Sequence, residues 1–105
     1  MDKEEAIKEH RKLWNWLYQH PSKRKEDYPK WERNGGNIPR MFNDCFLCEY
    51  ARNLSLFCPE ACPLEWPDGG CTAEPSKLFR RWGLARSPKT RKKYAKIIRD
   101  LPEKE

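Results

Sequence analysis

Apolar positions near the N-terminus recur at helical spacing. Ile7, His10, Trp14, Leu17 and Tyr18 fall on one stripe, with Leu13 at its edge and charged or polar residues at most other positions. Asp2 stands just before this run, where its carboxylate can accept from a first-turn N–H, and Pro21 follows it. The pattern predicts a helix over about residues 3–20. Asp27-Tyr28-Pro29 reads as an N-cap with a first-turn proline, opening a short helix through Trp31. Asn34-Gly35-Gly36 would close it, because glycine takes the left-handed cap conformation at little steric cost. Residues 35–44 read as a connector. Further on, Ser76 to Trp82 reads as a short helix closed by Gly83. Ser87-Pro88 caps a run from Lys89 to Leu101 that places Tyr94, Ile97, Ile98 and Leu101 on one face and Lys/Arg on the other, and Pro102 ends it. There is no repeat, no low-complexity tract and no strand pattern longer than a short hairpin.

These elements predict a mainly α fold in one small domain spanning residues 1–105. N-terminal helices occupy 1–40, cysteine-bearing loops 41–75 and basic C-terminal helices 76–105. The long first helix is expected to pack antiparallel on the last one. Composition adds a constraint: 37% of residues are hydrophobic and 36% charged, so the core is thin. Five Trp, four Tyr and four Phe supply large buried rings, but a domain of this size often needs a staple as well.

The cysteines offer that staple. Cys45, Cys48, Cys58, Cys62 and Cys71 follow the spacing Cys-x2-Cys-x9-Cys-x3-Cys-x8-Cys. A Cys-x2-Cys pair turns two thiolates toward one metal, and a second pair completes a tetrahedron suited to Zn2+. Four-thiolate sites are closed and therefore structural. Four of the five are expected to bind one Zn2+: Cys45, Cys48 and Cys62, with Cys58 or Cys71 as the fourth and the other spare. Buried free thiols, disulfides and an iron–sulfur cluster are the competing readings. An odd cysteine count suits a complete disulfide framework poorly. No apolar run approaches the ~20 residues that span a bilayer, and no apolar signal region precedes the first helix, so a cytoplasmic location with reduced thiols is expected.

Charge is divided unevenly. Residues 1–40 carry ten Lys/Arg against seven Asp/Glu, residues 41–75 one against six, and residues 76–105 eleven against three, giving +3, −5 and +8. Four thiolates on Zn2+ would add two negative charges to the acidic middle, which makes it a poor surface for phosphate. Arg80, Arg81, Arg86, Lys89, Arg91, Lys92, Lys93, Lys96 and Arg99 gather on or near the last helix and are the candidates for nucleic-acid or partner contact. A solvated face opposite the apolar stripe explains the same residues, and no aromatic residue interleaves the basic face.

Longer runs carry a resemblance. Lys12 to Leu17 (Lys-Leu-Trp-Asn-Trp-Leu), Lys25 to Gly36, Asn43 to Tyr50, Cys62 to Pro67 and Ile98 to Pro102 together resemble a group of small cysteine-rich proteins of phages and prophages of Gram-positive bacteria. The resemblance implies a phage origin and action in the cytoplasm of the host bacterium. It carries no activity with it. The extra residue in Cys58-x3-Cys62 departs from the closer pair of that group and leaves the role of Cys58 open.

Signals for catalysis are sparse. His10 and His20 lie about 280° apart around a helix and do not share a face. There is no glycine-rich phosphate loop and no His-x-Glu beside a cysteine pair. The expectation is a non-enzymatic phage accessory protein that binds a host protein, such as a defence or transcription component, with no small-molecule substrate and no membrane. The alternative is a nucleic-acid-binding module built on the basic last helix. Arg40, Arg52 and Trp66 form a further candidate protein surface, although Trp66 better suits packing over the metal loops. Trp14 is expected in the core; Trp16, off the main stripe, needs a second packing surface; and an exposed Trp16 or Trp31 face would be the place for a dimer contact.

The cysteine spacing generates the first prediction. Metal analysis should find about one zinc per chain, and Cys45→Ser or Cys48→Ser should lose metal and folding together. A cooperative, fully helical, metal-free protein would refute it.

Overall fold

The computed structural model describes residues 2–39, Phe46, Leu47, Tyr50, Leu64 and 77–103. The described residues are mainly helical and contain no strand. Helix α1 is Lys3–Gln19, α2 is Lys77–Leu84 and α3 is Pro88–Arg99. Two single 3-10 turns, Lys25–Asp27 and Glu32–Asn34, lie between α1 and α2.

Helix α1 begins where its cap predicts. Asp2 is extended and its Oδ1 accepts from the Glu5 N–H at 2.8 Å. The helix ends at His20, whose backbone N–H and ring Nδ1–H both donate to the Trp16 carbonyl, each at 2.9 Å. The buried stripe is Ala6, Ile7, His10, Leu13, Trp14 and Leu17. It sits slightly around the helix from the predicted one: Leu13 is fully inside it and Tyr18 is only partly buried. Large rings dominate the sequence pattern, whereas burial follows the neighbouring helix and takes in the small Ala6.

Helix α3 packs along α1 and α2 packs on α3. The α1–α3 pair is antiparallel, as expected. His10 and Arg11 meet the C-terminal end of α3, at Ile98 and Leu101, while Tyr18 and the following Lys23 meet its first half at Lys92 and Arg91. Ser87 caps α3 by accepting from the Thr90 N–H, with Pro88 in the first turn. The buried face of α3 is Arg91, Ala95 and Ile98, joined by Leu101. Tyr94 is only partly covered and Ile97 is 38% exposed, so the predicted Tyr94/Ile97/Ile98/Leu101 stripe is rotated. The cause is that an arginine, counted as polar in the pattern, is drawn inside by an aromatic ring.

Between α1 and α2 the prediction of one short helix from Asp27 is replaced by two turns. The Asp27 carboxylate reaches back to the Arg24 N–H at 2.9 Å, so it closes the first turn rather than opening a helix. Trp31 is extended, fully buried, and pairs with Ile38 in an isolated parallel bridge. Its indole N–H donates to the Lys25 carbonyl at 2.7 Å. A dimer contact through Trp31 is therefore ruled out by burial. Trp16 finds its second surface in Tyr28 and His20, with ring centroids 5.5 and 4.8 Å away. Gly35 takes φ 95, as its cap role requires, whereas Gly83 lies inside α2, which continues to Leu84.

Three residues of the cysteine segment belong to the core. Phe46 and Leu47, between Cys45 and Cys48, are buried, and Phe46 stacks on Trp31 at 5.3 Å. Leu64 is fully buried and forms an antiparallel bridge with Glu103. Each such side chain contributes roughly 1.5–3 kcal/mol by leaving water, so these three residues are held by apolar contact. No helix among the described residues is long and apolar enough to cross a membrane.

The two adjacent glycines separate two kinds of constraint. A Cβ at Gly36 would overlap the Lys30 backbone, while one at Gly35 would meet nothing but an unfavourable φ. Gly36→Ala should cost on the order of 3 kcal/mol and Gly35→Ala about 1 kcal/mol, read from denaturant midpoints. Equal losses would contradict the close approach at Lys30.

Candidate functional site

Residues 77–99 contain ten Lys/Arg and no Asp/Glu. The fold decides what each of them faces. At 100° per residue, Lys89, Lys93 and Lys96 fall within about 60° of one another on α3, roughly half a turn from Arg91, Ala95 and Ile98. The first set is exposed and the second buried. Arg86 in the turn and Arg80 and Arg81 on α2 are exposed as well. Among the described residues no carboxylate pairs with Arg81, Arg86, Lys89 or Lys93.

Two cations lie along the α1 side of this ridge. Tyr18 takes Lys92 Nζ at 5.0 Å and the Arg99 guanidinium at 5.2 Å from its ring centroid. Arg99 also donates to the Asn15 side chain at 2.9 Å and pairs with Asp100 at 2.8 Å. That hydrogen bond holds the Asp100 carboxyl below its ordinary range and raises Arg99. Lys93 lies 5.5 Å from the Tyr94 ring. Rings thus lie beside Lys92, Lys93 and Arg99, contrary to the expectation that no aromatic residue interleaves the basic face. Tyr18 comes from α1, and only antiparallel packing brings it under α3.

Arg91 is the cation that leaves the candidate surface. It is 8% exposed; its guanidinium sits 4.7 Å over the Trp82 ring and donates to the Lys23 carbonyl at 3.0 Å. Burial pushes it below its ordinary range, and the nearby positive charge of Arg24 adds to the shift. Its Nε has no hydrogen-bond partner among the described residues. A side chain so placed cannot meet phosphate without breaking the helix junction.

Both histidines are engaged in local structure. His10 is buried and donates through Nε2 to the Ile98 carbonyl at 3.0 Å, which matches its expected role as a packed helix residue. His20 caps α1. Among the described residues no three His, Cys, Asp or Glu side chains gather to hold a metal. Cys45, Cys48, Cys58, Cys62 and Cys71, with Arg40, Arg52 and Trp66, lie outside the described residues. A shallow hollow of about 490 Å³ lies along α1 between Lys8, Arg11, Lys12 and Asn15, with Glu4 and Glu103 at its rim.

The position of Arg91 is testable by size against charge. Arg91→Met keeps the apolar stem over Trp82 and should change stability by less than about 1 kcal/mol, whereas Arg91→Ala opens a cavity and should cost about 2–3 kcal/mol. Equal thermal melts of the two variants would contradict the interior placement. Compared with known family models, curated proteins and solved structures, the chain matches none.

Proposed function

We propose that the protein acts by binding rather than catalysis, and that the exposed cationic face of α2, the following turn and α3 takes nucleic acid. The observation that carries this is the run of ten cations without a carboxylate in residues 77–99, with Arg80, Arg81, Arg86, Lys89, Lys93 and Lys96 each exposed. Phosphate contact releases counterions and rewards clustered positive charge. Protein-binding surfaces are depleted of lysine at their centres, so three lysines along one ridge favour phosphate. The engagement of His10 in helix packing and of His20 in the α1 cap supports a non-enzymatic role. In this reading a four-cysteine zinc site fastens the acidic segment 41–75 to the helices, leaving the basic face to the partner. The setting is the cytoplasm of a bacterium that carries the phage genome.

A second reading has its own support. Leu84 is 67% exposed and Ile97 38% exposed, and apolar side chains beside clustered cations suit an acidic host-protein surface. The protein would then modulate a host component such as a defence or transcription factor.

Fluorescence anisotropy with a short duplex across a salt series tests the first reading. Four to six phosphate contacts give a slope of log Kobs against log salt of about −4 to −5. Lys89→Glu with Lys93→Glu and Lys96→Glu should abolish binding while the thermal melt is retained. A flat salt response, with capture of a lysate protein that survives nuclease and depends on Leu84 and Ile97, would replace it with the second.

A further inference from the structure

The α2–turn–α3 unit has the proportions of a groove-reading device. Eight residues of α2 and twelve of α3 are joined by only three, Ala85 to Ser87. The back of α3 is held by α1 and α2. At 1.5 Å per residue α3 is about 18 Å long, enough to lie in a B-form major groove about 12 Å wide. Its outer ridge carries lysines rather than carboxylates, and a deep groove flanked by phosphates complements that charge. Its first turn, Ser87 to Thr90, is exposed, and this is the end of a recognition helix that approaches base edges.

We propose that α2, the turn and α3 form a helix–turn–helix unit that enters the major groove of duplex DNA, deepening the nucleic-acid reading above and resting on it. Lys89, Lys93 and Lys96 face the groove, where lysine donates to guanine O6 and N7. Arg80, Arg81 and Arg86 meet the phosphates that flank it. Ile97, one turn on from Lys93 and partly exposed, faces the base edges where thymine methyl groups lie. Its exposure on an otherwise cationic face is then part of the contact. Tyr18 holds Lys92 and Arg99 at the α1 edge and so limits how far the groove can close over α3.

The full chain is titrated with a B-form DNA duplex, an RNA duplex of the same sequence and polyglutamate. The major groove of A-form RNA is too deep and narrow for a helix. DNA should bind at least about tenfold tighter than RNA, and polyglutamate should bind more weakly than either. Lys89→Gln with Lys93→Gln and Lys96→Gln should remove the preference for DNA, and Ile97→Ala should reduce it. Unchanged thermal melts would establish that these exposed substitutions leave the fold intact. Equal binding of DNA and RNA would overturn the groove proposal and leave the nucleic-acid reading standing. Binding of polyglutamate alone would overturn both and point to an acidic protein partner.

Discussion

Trp82 stands where α1, α2 and α3 meet. It approaches Trp14 of α1 edge-on, with ring centroids 4.8 Å apart, and carries the Arg91 guanidinium 4.7 Å over its face. One residue of α2 thus joins α1 to α3. The junction belongs to the same buried cluster as Leu13, Leu17, Ala95 and Ile98. The geometry suits the chemistry: an indole edge meets an indole ring, and a cation meets the electron-rich face. Arginine tolerates such burial better than lysine because its planar, weakly hydrated guanidinium stacks.

The junction also sets what the last helix shows to solvent. Once Arg91 turns inward, Ala95 and Ile98 follow at helical spacing, and Lys89, Lys93 and Lys96 must point outward. The cationic ridge is therefore a consequence of core packing as well as of composition. The α1–α3 contact does the same on the flank, where Tyr18 gathers Lys92 and Arg99. Repulsion among these cations is relieved by rings at Lys92, Lys93 and Arg99 and by the Asp100 carboxylate at Arg99. A face arranged in this way is suited to a partner that brings dense negative charge.

The loops have a different logic. Trp31 is buried by Tyr28 on one side and Phe46 on the other, at 5.6 and 5.3 Å. Asn34 donates to the Glu26 and Tyr28 carbonyls, tying the two 3-10 turns together. This aromatic column reaches from the first loop into the cysteine segment. Phe46 and Leu47 occupy the gap between Cys45 and Cys48, so the spacing that suits a metal also presents two apolar side chains to the core.

Much of the framework is legible in the sequence. The Asp2 and Ser87 caps, the prolines and the 3.6-residue repeat locate α1 and α3, because these signals act within one helical turn. The same repeat implies that the two helices pair. What it does not carry is rotation about the helix axis: Leu13 over Tyr18, and Arg91 over Ile97, depend on which ring lies opposite. The role of Asp27 is not legible either, because an aspartate serves the turn behind it or the helix ahead of it equally well, and here it turns back to Arg24. For the candidate surface, composition alone sets how many cations the C-terminal segment holds, and that no carboxylate balances them. Packing between helices takes Arg91 inside, brings Tyr18 beneath Lys92 and Arg99, and leaves Lys89, Lys93 and Lys96 as the outer ridge. Charge belongs to composition, whereas exposure depends on the neighbour a side chain meets.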